Sequence, residues 1–216
     1  MKSFFLILIL TLTFWSCSSN QIVNLRMAKD TVKNYYESGK YDEEMNQVVK
    51  DAEEKFDKVE VNKSGKDKSV VIFDVDDTAI NNYGLSKMMD FGYVYELNKK
   101  WNKELKAPAI KQTQDLYNFL IKKGFKIIFL TGRNSNEYEV TYKNLIKDGY
   151  AGFDTLITQR EDEQNLTASE FKSKKRTELT NEGYNIVGTV GDQWTDLEGP
   201  YTGIKIKLPN YLYEIK

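Results

Sequence analysis

The sequence predicts an α/β protein with a central, mostly parallel sheet and helices on both faces. Three observations carry that prediction. A run of β-branched and aromatic residues, Val70-Val71-Ile72-Phe73, reads as a buried strand and stops abruptly at three carboxylates, Asp74, Asp76 and Asp77. A second buried run, Phe125 to Leu130, follows a helical pattern that starts near Pro108, and strand, helix, strand in that order argues for a right-handed parallel crossover. A third run, Tyr184 to Val190, again ends in acids, Asp192 and Asp196. In open α/β sheets the carboxyl ends of strands are where ligands sit, and buried carboxylates crowded there either titrate upward or are held by a cation. D-x-D-x-T at such a place points to hard-metal, oxygen-ligand chemistry, set against the plainer reading of a polar turn capping a core strand.

Composition narrows the chemistry. The 216 residues suffice for one domain with its own core, and a net charge of −1 gives no reason to expect a nucleic-acid partner. There is no histidine, which excludes a histidine nucleophile, Ser-His-Asp hydrolysis and His-ligated zinc. The single cysteine, Cys17, excludes an intramolecular disulfide and a cysteine zinc site. Catalysis must therefore run on Asp, Glu, Lys or Tyr.

Residues 1 to 16 combine an early Lys2, an apolar stretch from Phe4 to Trp15, and the small Ser16, which is the pattern of a signal peptide. A small residue directly before Cys17 resembles a bacterial lipoprotein signal, in which Cys17 would carry the lipid; a plain secreted protein is the alternative. Residues 17 to 20 then read as a tether, and 21 to 216 as the domain. Residues 21 to 60 form a helical lead-in with a break at Ser38-Gly39-Lys40, its second half carrying Met45, Val48, Val49, Ala52 and Phe56 on one stripe. Asn62 to Lys68 is a polar turn into the first strand.

Residues 80 to 108 show no clean period and are dense in aromatics, Tyr83, Phe91, Tyr93, Tyr95 and Trp101 among them. The segment is expected to be an irregular cap that shapes the substrate site, with stacking by Tyr83 or Tyr95 set beside ordinary local packing. The helix after Pro108 presents Ile110, Thr113, Leu116, Tyr117, Leu120 and Ile121 and stops at Gly124. The second strand ends in Thr131-Gly132-Arg133 before a helix of roughly Ser135 to Lys147, an arrangement suited to binding phosphate. A short third strand, Asp154 to Thr158, precedes a polar loop. Thr167-Ala-Ser-Glu170 fits a capping box, so Lys172 falls early in the next helix, with Lys174, Lys175 and Arg176 read as surface charges. Gly203 to Leu208 alternates and reads as an edge strand stopped by Pro209.

Four stretches now stand out in order: FDVDDT, FLTGR, FKSKKR and GDQWTDL. They resemble the four motifs of the haloacid dehalogenase (HAD) superfamily, most closely its subfamily IIIB of class B and class C acid phosphatases and plant vegetative storage proteins. The resemblance covers Ser69 to the C-terminus. It implies a HAD-like Rossmannoid fold and a division of labour. Asp74 would be the nucleophile and Asp76 the general acid and base. Thr131, Gly132 and Lys172 would hold the phosphoryl group. Mg²⁺ would be bound by Asp74, the main-chain carbonyl of Asp76 and Asp192, with Asp196 orienting a metal water or Lys172. Asp77 and Thr78 would shape the loop. The function implied is a Mg²⁺-dependent acid phosphatase acting on small phosphomonoesters, with nucleoside monophosphates as candidates, exported and lipid-anchored through Cys17 on the periplasmic or cell-surface side of a bacterial membrane. The alternatives are a 5′-nucleotidase or phosphotransferase of the same fold, and a non-catalytic storage protein.

Overall fold

The computed structural model describes residues 22–62 and 68–216. The leader, the tether and Cys17 fall outside these residues. Among the described residues, no helix is long and apolar enough to cross a membrane.

The lead-in is two helices, α1 (Leu25–Glu37) and α2 (Lys40–Asp57), broken where predicted by Gly39 at φ +89°. The two differ in what they bury. α1 has no buried residue, whereas α2 seats Tyr41, Met45, Val49, Ala52 and Phe56 against the domain. Next comes β1 (Lys68–Phe73), buried from Ser69 to Phe73. The stretch expected to be irregular instead contains two short helices, α3 (Tyr83–Met88) and α4 (Tyr95–Lys103). Each buries one side chain, Leu85 and Asn102 respectively, so there was no apolar period to read. Then follow α5 (Lys111–Lys123), β2 (Lys126–Asn134), α6 (Tyr138–Lys147), β3 (Thr155–Gln159), α7 (Ala168–Asn181), β4 (Tyr184–Gly191), α8 (Trp194–Leu197) and β5 (Ile204–Lys207). Thr167 caps α7 in a capping box with Glu170, as the sequence predicts.

The five strands form one sheet in the order β3-β2-β1-β4-β5, every pairing parallel. β1 sits at its centre. Alternation of side chains along it divides the core in two. Val71 and Phe73 face a large cluster with Phe56 of α2, Leu116 and Leu120 of α5, and Ile127 and Phe129 of β2. Val70 and Ile72 face a smaller one with Ile128, Leu130, and Phe171 and Leu179 of α7. Sandwiching fixes all the strand ends at one edge. Because the order reverses on either side of β1, the loops after β1, β2 and β4 open into the same space.

Candidate active site

The floor of that space is carboxylate. Asp74 follows β1 directly, and its backbone N–H donates to Val190 O on β4 at 3.0 Å. Asp192 follows β4, and Asp196 lies on α8 one turn further. The side chains of Asp74, Asp192 and Asp196 are all buried, with one oxygen of each within 4.8 Å of the others. The loop after β4 has no spare volume: a Cβ on Gly191 would collide with the Asp196 side chain. Asp196 Oδ2 accepts from Gln193 N at 2.9 Å, so the acid folds back over its own loop.

Lys172 of α7 reaches this floor from the side. Its Nζ donates to Asp74 Oδ1 at 2.6 Å and to Asp196 Oδ1. Burial alone would strip its proton, but the Asp196 and Asp74 carboxylates outweigh burial and raise its pKa. Burial likewise pushes Asp74 and Asp192 upward, and the Asp196 charge adds to both. Three acids and one lysine in a dry pocket are short of positive charge. An all-oxygen donor set with that deficit fits a hard divalent cation. The fit covers both side chains expected to bind metal, Asp74 and Asp192, and places Asp196 in the same cluster, where Lys172 engages it.

Asp76 points elsewhere. Its half-buried carboxylate is gripped by Arg133 in a fork, Nε to Oδ2 at 2.8 Å and Nη2 to Oδ1 at 2.6 Å, and accepts from Asn82 Nδ2 at 2.8 Å. Burial would raise its pKa, yet the Arg133 charge and hydrogen bonds prevail and lower it. Arg133 is itself anchored by Asn102 of α4 and Thr141 of α6. Asp77, at φ +54°, accepts from Asn82 N and from the Tyr213 hydroxyl at 2.8 Å, and burial together with the Asp192 charge raises it to about 7. Thr78 ties the first loop to the last: its hydroxyl donates to Asp192 Oδ1 and accepts from Asp192 N, both at 3.0 Å.

The five aspartates, Lys172 and Arg133 line one cavity of about 1120 Å³, which also takes in Thr131 and Gly132. Thr131 is buried and Gly132 is exposed with open space beside its Cα. The structure therefore brings together all the predicted site residues of the domain: Asp74, Asp76, Thr131, Gly132, Lys172, Asp192 and Asp196. Tyr95 is on the cavity wall. Tyr83 is not: it stacks on Tyr36 of α1 at 4.7 Å and donates to Glu37.

Two expectations are corrected. Lys175 and Arg176 are not surface charges. Lys175 is buried against Glu163 at 2.7 Å, and Arg176 is fully buried, its guanidinium donating to the carbonyls of Pro200, Asp196 and Glu198 and to Ser173 Oγ. Sequence reasoning also missed the Arg133 fork and the C-terminal residues Asn210 and Tyr213, which bind Asp192 and Asp77. The FLTGR motif contained a signal for Arg133; nothing local marked the other two.

A reversed parallel sheet with Asp-x-Asp after its central strand, and a lysine reaching the first of those acids, defines a HAD-type α/β fold and site. The family model for HAD superfamily subfamily IIIB (acid phosphatase) matches residues 11–216, and the chain belongs to that family. It is 36% identical to acid phosphatase 1 of Solanum lycopersicum over 195 residues, covering 86% of this chain and 74% of that protein. It is 39% identical to the stem 28 kDa glycoprotein of Glycine max over 155 residues, 69% of this chain and 61% of the other, and 35% identical to vegetative storage protein 1 of Arabidopsis thaliana over 153 residues, 68% and 56%. In fold it is similar to the class C acid phosphatase of Bacillus anthracis, with a TM-score of 0.70 at 22% identity over 88% of this chain and 85% of that one.

Proposed function

We propose that the chain is a Mg²⁺-dependent phosphomonoesterase that works through an aspartyl phosphate on Asp74. The observation that carries this reading is the Lys172 contact to Asp74 inside a buried three-carboxylate floor. Lys172 and burial leave Asp74 as a partly neutralised, dry nucleophile with one oxygen engaged and the other free to attack phosphorus in line. Thr131 and the Gly132 amide hold the transferring oxygens, and Lys172 offsets charge on both partners. Asp74, Asp192 and the Asp76 carbonyl would hold Mg²⁺, which when bound supplies charge to the phosphoryl oxygens.

Asp76 is the proton carrier. The Arg133 fork keeps it ionised at rest, which suits it to take a proton from the water that hydrolyses the intermediate. Giving a proton to the leaving alcohol needs the opposite state. An incoming phosphoryl dianion competes for Arg133 and loosens the fork, which raises the acid's pKa at the moment donation is needed.

Residues 1 to 16 serve as leader, 17 to 20 as tether and 21 to 216 as the phosphatase domain, with 80 to 108 as its cap. Export and a lipid on Cys17 place the enzyme where it can scavenge small organic phosphates, nucleoside monophosphates among them. Some relatives carry the name of storage proteins, but this chain keeps Asp74, Asp76 and Lys172 together, which a storage role does not require. The test is hydrolysis of aryl, nucleoside and sugar monophosphates by protein lacking the leader, with Mg²⁺ and with chelator. Turnover that chelator abolishes and Mg²⁺ restores is expected. Chelator-resistant turnover would remove the metal from the reading, and none on any ester would remove the enzyme.

A further inference from the structure

The cavity is much larger than a phosphoryl group needs, and its volume of about 1120 Å³ matches sites for whole drug-sized ligands. Its outer wall is α4. Five residues of that short helix face the cavity: Tyr95, Asn98, Lys99, Asn102 and Lys103. Tyr95, Lys99 and Lys103 are spaced four apart, so they form one stripe along the helix. Lys99 Nζ sits 5.9 Å from the centre of the Tyr95 ring.

What sets the two lysines apart is the lack of acids. On the other side of the same helix Lys100 faces Glu104 at 3.9 Å, and Lys106 takes the same carboxylate at 2.7 Å. Lys99 and Lys103 make no ion pair among the described residues. The deeper carboxylates of the cavity have their hydrogen-bond partners below α4. Asp76 is held by Arg133, Asp74 and Asp196 by Lys172, Asp77 by Tyr213, and Asp192 by Thr78, Gln193 and Asn210. Glu96, in the first turn of α4, is exposed and outside the cavity lining, so among the described residues the one further acid lining the cavity near α4 is the half-buried Glu137, which accepts from Asn102 at 3.1 Å. Among the cavity-lining residues of this outer wall, two lysines stand against one acid and leave it positive. A solvated helix face would also show exposed lysines, but it would not confine the unpaired ones to the cavity side.

We propose that Lys99 and Lys103 form a second anion subsite, and that the preferred substrates are phosphomonoesters whose leaving group carries a further phosphate or carboxylate. The proposal rests on the phosphomonoesterase reading for the first phosphate. A positive wall attracts a second anion into the cavity and orients the ester for attack.

The experiment is a ruler. Steady-state hydrolysis is compared for alkanediol bisphosphates and the matching hydroxyalkyl monophosphates across a range of chain lengths, after correction for the two equivalent phosphates. At the best length, the bisphosphate KM is expected to lie about tenfold below that of the monophosphate, an advantage of about 1.4 kcal/mol. In the Lys99→Gln/Lys103→Gln variant the ratio of the two KM values collapses toward one, while Lys100→Gln keeps the wild-type ratio. An advantage that is absent at every length, or that survives the double variant, overturns the subsite. Isothermal titration of the folded protein with the same two ligands separates this failure from that of the enzyme reading. If no ester is turned over but the bisphosphate still binds about tenfold tighter and loses that advantage in the double variant, the subsite stands and the phosphatase reading falls. Equal binding of the two ligands counts against the subsite.

Discussion

Two helices line the cavity with cations and use them in opposite ways. α7 buries Lys172, Lys175 and Arg176; α4 leaves Lys99 and Lys103 exposed. Every buried cation on α7 has partners: Asp74 and Asp196 for Lys172, Glu163 and Glu178 for Lys175, three carbonyls and a hydroxyl for Arg176. A buried charge without such partners would cost several kcal/mol, so the sequence around α7 is constrained by what the helix buries. On α4 water does the same service, and the lysines there are free to answer to a ligand. Helix position alone does not say whether a lysine belongs to the scaffold or to the substrate; the acids within reach do.

The comparison is sharpest at Lys172. Lys172→Met leaves Asp74 and Asp196 facing each other without a cation, and its effect falls on the chemical step. Phosphate-ester turnover is expected to drop by roughly 10²- to 10³-fold, the scale for losing one preorganised electrostatic group, measured as kcat at saturating Mg²⁺. A loss of less than about threefold would place Lys172 outside the reaction and make α7 purely structural.

Arg176 comes next. Among the described residues its guanidinium makes no ion pair and is held by three carbonyls and a hydroxyl: Nε to Pro200 O at 3.0 Å and Nη1 to Asp196 O at 2.9 Å, with Nη2 on Glu198 O and on Ser173 Oγ at 3.2 Å. Burial lowers its pKa to about 10, still charged at neutral pH. It staples the loop carrying Asp196 to the helix carrying Lys172. Arg176→Met orphans those carbonyls and is expected to cost about 3 kcal/mol, read as a lower denaturation midpoint at an unchanged slope. A midpoint unmoved by the change would mean that the loop holds itself.

These same residues show what the sequence could and could not disclose. The strands were legible because β1 and the first part of β2 are buried on both faces and read as apolar runs, while β4, buried only in its second half, was legible from Ile186, Val187 and Val190 and the acids that follow it. The floor was legible because acids at strand ends have few structural uses, and four of them in motif order are informative. Lys175 and Arg176 were misread because a run of cations usually marks a solvated face. Their spacing from Phe171, Lys172 and Leu179 placed them on an inward face, but only the position of Glu163 and of the Asp196–Pro200 carbonyls makes burial affordable. The Arg133 fork, Asn210 and Tyr213 depend on contacts across the chain, Arg133 reaching back 57 residues to Asp76 and Tyr213 reaching back 136 to Asp77. The FLTGR motif marks Arg133 itself but not its partner, and no local pattern marks Asn210 or Tyr213.

The mildest test of the contrast uses acid. Glu163 is 1% exposed and meets Lys174 at 2.9 Å, Lys175 at 2.7 Å and Arg160 at 3.3 Å. Burial alone would raise its pKa; the hydrogen bonds from Lys175 and Lys174 win and bring it down to about 2. An unfolded Glu titrates near 4.3, so the folded form holds its proton less tightly. Stability from this group is fully present above about pH 4.3 and is lost as pH falls toward 2, because the unfolded chain then binds the proton first. Wild-type stability should therefore fall by about 2 kcal/mol more than that of Glu163→Gln across that window, measured by urea unfolding at fixed ionic strength. The α4 lysines have no such acid, so Lys99→Gln/Lys103→Gln should follow the wild-type acid limb throughout. If Glu163→Gln also follows it, the cations of α7 are no better compensated than those of α4, and burial on α7 would have to be explained by packing of their aliphatic stems, as in the approach of Lys175 to the Phe171 ring at 5.8 Å.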